Sequence, residues 1–302
     1  MKKFLLKILL FVAVLALIDI LSGYCFPVLR SWAKSGQTYK IEYISNVCTD
    51  DIIILGSSRA DHHYVPSVFE EDLNHTCYNA GEMGCGIIPA YARYKMISKR
   101  HKPKLVIYEV TPGYDYLEDN DYSAYVGTLR QYLNDKDIKE VYLDFSDKLE
   151  RIRIVSNLYR NNSKLVKNLK DAILSTPSYK GYEPLYGTLP SNYSSKRSKT
   201  GYELLGVDTL KYNYLTRLVE DTKKDGVPLV FAISPIYGNG QLPSEYHYII
   251  DLCEEHNIPI INNSYCSGIS VASYFQDSEH LNHEGATLYS HYVANQVKAF
   301  IK

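Results

Sequence analysis

Short, uninterrupted apolar runs punctuate this chain. Residues 52–55 read IIIL, a continuous β-branched stretch without polar alternation, which suits a strand buried on both faces of a parallel sheet. Further strands are predicted at 76–78, 105–110, 229–233 and 259–261. Between them lie helical patterns at 66–73, opened by Pro66, at 89–100, at 208–224, which ends on Asp225-Gly226, and at 244–255; a last helix covers 285–301. From about 111 to 205 the rhythm lapses into a segment rich in Tyr, Asn and Ser, with helical patches near 125–133 and 162–174, and this reads as an insertion. Alternating strands and helices predict an α/β domain over 51–302: a three-layer parallel sheet with helices on both faces, its site on the loops at the carboxyl ends of the strands.

A different pattern governs the N-terminus. Lys2, Lys3 and Lys7 precede a run from Ile8 to Leu21 that is apolar except for Asp19. No small-residue cleavage site is evident, and the stretch is long enough to span a bilayer if Lys7 snorkels, so residues 1–26 read as a signal anchor, a transmembrane helix; a cleaved signal is the alternative. Positive charge on the short side orients the globular part outward, to the periplasm or cell surface. Asp19, near the distal end, is expected to reach the interface. Residues 27–50 show no sustained period and read as a tether.

Composition narrows the partners. With 33 basic and 34 acidic side chains in 302 residues the formal net charge is -1, which offers no electrostatic footprint for nucleic acid. Six cysteines are too few for a dense disulfide framework; Cys77 and Cys85 are the nearest candidates for pairing, with buried free thiols the alternative. The 29 tyrosines could stack on sugar rings or serve ordinary packing.

Two remote segments carry candidate chemistry. Gly56-Ser57-Ser58 follows the first predicted strand, where a tight turn can present a nucleophile and aim backbone N–H groups at an oxyanion. Asp277 and His280 lie just before the last helix, close enough in sequence for a carboxylate to orient an imidazole. A serine hydroxyl needs such a base, so the two segments are expected to converge. Arg59 either pairs with Glu109 or binds an anionic group, and His62 and His63 are candidates for the same pocket. No carboxylate or Cys stands at ligand spacing beside these histidines, so neither a metal nor another cofactor is expected.

These blocks resemble the SGNH, or GDSL-like, hydrolase superfamily, and in particular its exported members of polysaccharide and teichoic-acid acylation. The resemblance extends over about 51–302 and implies an SGNH or flavodoxin-like fold. It places the nucleophile at Ser58, general base at His280 and its orienting carboxylate at Asp277. Asn79-Ala80-Gly81 matches the glycine block, which assigns oxyanion donation to Gly81 with Ser58 and adds Asn79 to the substrate-binding candidates. The family's Gly-x-Asn-Asp block is absent: the chain reads Glu109-Val110-Thr111-Pro112-Gly113-Tyr114-Asp115, leaving Thr111 as the replacement donor.

The resulting expectation is a membrane-anchored serine esterase or O-acyltransferase acting on an acylated, notably O-acetylated, cell-envelope carbohydrate. A membrane acyl-donor protein is a further candidate partner. The alternative is a degenerate glycan-binding or assembly protein that keeps the pocket without the chemistry.

Overall fold

Five parallel strands form one sheet in the order β2-β1-β3-β4-β5: β1 Ile52–Gly56, β2 Cys77–Asn79, β3 Leu105–Glu109, β4 Leu229–Ile233 and β5 Ile260–Asn262. The computed structural model describes residues 1–118, 126–174, 178–190, 193, 205–238 and 242–301. The expected α/β parallel sheet is therefore present, and each strand lies within one or two residues of its sequence prediction. Continuous apolar runs form the central strands because both faces are covered: β1, β3 and β4 are buried throughout. Ile52, Ile54, Leu105, Ile107, Val230 and Ala232 share one core with Phe69, Tyr289 and Val293 from helices Pro66–Leu73 and His283–Val297. The alternate positions Ile53, Leu55, Val106, Tyr108 and Phe231 are equally buried and face the other way. Helices Ile87–Ser98 and Thr209–Asp225 pack on one another in this unit. The latter begins where Asp208 accepts from the Leu210 and Lys211 N–H groups and stops at Gly226, at φ +70°.

The chain divides into two compact units: Tyr43–Val126 with Pro177–Lys302, which holds the sheet, and Met1–Glu42 with Gly127–Thr176. This differs from one domain over 51–302 carrying an insertion, because part of that segment belongs to the unit of the N-terminal helix. That helix runs over Lys2–Ser31, beyond the expected end at 26, and has a mean hydropathy of 2.8 over its most apolar 18 residues. Within 27–50, read as a tether, Gly36–Asn46 is helical. The patch expected near 125–133 starts at 125, outside the described residues; inside them, Leu129–Tyr132 forms a single 3-10 turn. The patch at 162–174 is helix Leu165–Ile173. All six cysteines are free, so Cys77 and Cys85 are buried thiols and not a disulfide.

Candidate active site

Strand order fixes where the pocket opens. The chain passes from β1 to β2 on one side and returns to β3 on the other, so the carboxyl ends of β1 and β3 flank a crevice, the usual ligand position in an open α/β sheet. Ser57 and Ser58 leave β1 there and Thr111 leaves β3. Gly56 permits the turn: its φ is +138°, and a Cβ would lie 2.6 Å from the Glu109 carbonyl oxygen. Ser58 then opens the short helix Ser58–His63, in whose first turn backbone N–H groups lack intrahelical acceptors.

The distant histidine segment meets this turn. His280 Nε2 lies 2.7 Å from Ser58 Oγ, and His280 Nδ1 lies 2.9 and 3.0 Å from the two Asp277 oxygens. A carboxylate only accepts, so Nδ1–H donates to Asp277 and Nε2 is left to accept the Ser58 hydroxyl proton. Asp277 Oδ1 also accepts the backbone N–H groups of Glu279 and His280, each at 2.9 Å. Burial pushes the Asp277 carboxyl up, but the His280 bond and the Glu279 N–H outweigh it and hold the group below the usual carboxylate range. Asn282 anchors the segment at its far side: its Oδ1 caps helix His283–Val297 through Gly285 N–H at 3.0 Å, while its Nδ2 donates to Gly187 and Ser273 carbonyls at 3.0 and 2.7 Å.

An open pocket of about 350 Å³ lies over these groups, lined by Ser58, His280, His62, Thr111, Met83 and Gly84 among others. His62 donates from Nδ1 to the Glu183 carbonyl at 2.7 Å and meets the His280 ring edge to face. Thr111 Oγ1 is 2.9 Å from Ser57 Oγ, and its N–H donates to Asp115 at 2.6 Å. Burial raises the Asp115 carboxyl to about 7 against the bonds from Tyr108 and Thr111 that lower it.

Gly81, Asn79 and His63 take other places than the sequence suggested. The Gly81 N–H donates to Asn79 Oδ1 at 3.0 Å, and a Cβ on Gly81 would stand 2.6 Å from Asp61 N, so this glycine serves close packing against helix Ser58–His63. Asn79 is fully buried and clamps that helix, its Nδ2 donating to the Ala60 and Tyr64 carbonyls at 2.7 and 2.9 Å. Gly84, three residues on, lines the pocket at φ +71°; among the described residues no hydrogen bond engages its N–H.

Arg59 and His63 form the floor. Arg59 Nη2 sits 2.9 Å from Glu109 Oε1, both side chains buried, and Nη1 donates to the Tyr246 hydroxyl at 2.9 Å. The expected ion pair with Glu109 is present, and Arg59 also lines the pocket. Leu281 N–H donates to His63 Nε2 at 2.9 Å, so His63 Nδ1–H donates to Ser234 Oγ at 2.7 Å, and the Ser234 hydroxyl donates to Glu109 Oε1 at 2.7 Å. Tyr64 also donates to Glu109. Burial, with the positive charge of Arg59, holds His63 well below the usual histidine range, so it is neutral. Ser234, Tyr64 and Tyr246 carried no signal as site residues in the sequence, whereas the Arg59–Glu109 pair and His63 did.

No protein-family model matches the sequence, and no curated protein matches it. Among solved structures, the chain is similar to a protein from Desulfitobacterium hafniense DCB-2 assigned to the lipolytic G-D-S-L family, with 11% identity, a TM-score of 0.39, and coverage of 81% of this chain and 98% of that one. It is likewise similar to a protein from Bacteroides fragilis NCTC 9343 assigned as an acylhydrolase, with 11% identity, a TM-score of 0.39, and coverage of 88% and 98%. At that level the likeness adds nothing to the chemistry, which rests on the site itself.

Proposed function

We propose that this protein is a membrane-tethered serine esterase or O-acyltransferase, with Ser58 as nucleophile, His280 as general base and Asp277 as the group that steadies the imidazolium. The observation that carries the reading is the unbroken line of hydrogen bonds from Ser58 Oγ through both ring nitrogens of His280 to Asp277. Ser58 Oγ attacks an ester carbonyl as its proton passes to His280 Nε2. The oxyanion is held by the Ser58 and Gly84 N–H groups, with the Thr111 hydroxyl in place of the absent asparagine. Collapse expels the alcohol, which takes the proton from His280 and leaves an acyl-Ser58 ester. Water then completes an esterase cycle; a sugar hydroxyl completes a transfer.

An outward-facing domain on an N-terminal span, with an open pocket lined in part by the half-buried Tyr114 and Gln276, favours an O-acetylated carbohydrate of the cell envelope as substrate. A membrane protein that donates acyl groups would be the partner of the transfer direction. The missing Gly-x-Asn-Asp block favours one other reading, a pocket that binds acylated glycan without turning it over.

The test uses the full chain in detergent micelles with an aryl acetate and a serine-directed phosphonate. Release of the phenol and a single adduct on Ser58, both lost in Ser58→Ala, support the enzyme. Absence of any adduct, or turnover that survives Ser58→Ala, removes it.

A further inference from the structure

We infer that residues 148–174 form a collar that lies in the distal leaflet of the membrane and its headgroup layer, docked on the N-terminal helix. The inference rests on the reading that this helix is retained and spans the bilayer.

The first observation is inverted amphipathicity. Helix Leu165–Ile173 buries Asn168 and Asp171 and leaves Leu165, Val166, Leu169 and Ile173 exposed, Val166 at 79% and Ile173 at 74%. Its inward face is polar because it serves the start of helix Gly36–Asn46: Asp171 Oδ2 accepts Thr38 N–H at 3.0 Å and Asn168 Oδ1 accepts the Thr38 hydroxyl at 3.1 Å. Helix Lys148–Arg153 buries no residue, and Leu149, Ile152 and Val155 recur every third position, all exposed. A helix in water turns its apolar stripe inward; one whose apolar stripe points outward fits hydrocarbon.

Continuity with the span identifies the occupant. Exposed apolar residues on the N-terminal helix run from Phe4 to Trp32, and 28 steps of 1.5 Å give about 42 Å, the thickness of a bilayer with its headgroup layers. Asp19 stands about 22 Å along that path, past the midplane. Its carboxylate is covered by the collar, accepting from Ser156 Oγ at 2.5 Å, Leu158 N at 3.0 Å and Asn157 N at 3.1 Å. Further out, Arg30 Nη1 donates to Asn161 Oδ1 at 3.1 Å. The collar thus follows the helix from Asp19 toward Trp32, and cleaving the helix off would strip Ser156–Leu158 of their acceptor. Charge agrees: residues 148–174 hold seven basic and two acidic side chains. Both acids are engaged inside the unit, Glu150 by Tyr159 and Arg130, Asp171 by Thr38. The rim is therefore cationic and complements anionic headgroups, with long basic side chains able to snorkel.

The test is the full chain reconstituted in vesicles of equal parts phosphatidylcholine and phosphatidylglycerol, photolabelled with a bilayer-partitioning aryl diazirine and mapped by peptide mass spectrometry. Leu149, Ile152, Val155, Val166 and Ile173 are expected to label at the level of helix Lys2–Ser31. That is about tenfold above Leu288 and Tyr292, exposed side chains of the sheet unit, because the probe follows apolar phase. Ile152→Glu with Val155→Glu should reduce labelling of the collar and leave the helix labelled. Collar labelling at the level of Leu288 and Tyr292 beside a labelled helix overturns the collar alone; an unlabelled helix overturns the span as well.

Discussion

Replacing Asp277 by Asn tests how much of the rate depends on a half-exposed carboxylate. Its Oδ2 lies 2.9 Å from His280 Nδ1, but the Asp277 side chain is 52% exposed against 22% for His280. With charge centres about 4 Å apart, the attraction between the carboxylate and the imidazolium lies between about 1 kcal/mol at the dielectric of water and about 4 kcal/mol at the effective value near a protein surface. Removing it should lower kcat by about 5-fold to about 10³-fold. Asn adds a second effect. Its carbonyl oxygen can keep the Glu279 and His280 N–H bonds that Oδ1 now accepts, which turns the amide nitrogen toward Nδ1. Two donors then face one another, and the imidazole moves its proton to Nε2, where it cannot take the Ser58 proton. Asp277→Asn should therefore be at least as slow as Asp277→Ala. Aryl acetate turnover with KM and kcat resolved separately is the assay, with a thermal melt as control, since an exposed side chain contributes little to folding. Asp277→Asn with kcat within about threefold of the parent protein would refute the assignment, because the weakest estimate of the attraction already exceeds that loss.

Thr111→Val should lower kcat by about 10²–10³-fold if the hydroxyl holds the oxyanion, with Thr111→Ser restoring it; a loss of about 1–3 kcal/mol in stability with unchanged kcat would limit Thr111 to satisfying Ser57. Glu109→Gln leaves the buried Arg59 guanidinium without its counter-charge and should cost about 3–5 kcal/mol in urea unfolding, whereas a surface-like loss below about 1 kcal/mol would contradict the buried ion pair. His63 is neutral in the fold but gains a proton near pH 6.5 when unfolded, so the unfolded state binds more protons and stability falls as pH drops below that value, by up to about 1.4 kcal/mol per pH unit. Denaturant unfolding between about pH 7 and pH 5 should lose that increment of slope in His63→Gln, and an unchanged slope would place the titration elsewhere.

What could be read from the sequence was local. Ile52 to Leu55 declares a doubly covered strand because burial on both faces removes polar alternation, and Asp277 and His280 are near enough for their contact to be implicit in spacing. Two kinds of feature lacked such a signal. Helix Leu165–Ile173 obeys a reversed hydrophobic rule, burying Asn168 and Asp171, so its period does not tell which face is buried. The glycine block put Gly81 in the oxyanion role, and only the fold shows that Asn79 folds back onto the Gly81 N–H.

The floor of the site shows the same limit and explains its geometry. Ser58 and His63 stand at the two ends of one short helix, and each meets an adjacent residue of the distant segment: Ser58 the His280 ring, His63 the Leu281 N–H. Rotating or sliding that helix breaks both contacts together. Since His63 is held in turn by Ser234 and Glu109 from the ends of β4 and β3, the serine–imidazole distance is set by the sheet through hydrogen bonds and not by the exposed Asp277 turn alone. Substitutions at Ser234 or Glu109, which line no part of the pocket, should for that reason disturb kcat through the position of His280, in proportion to how far they release Leu281 from His63.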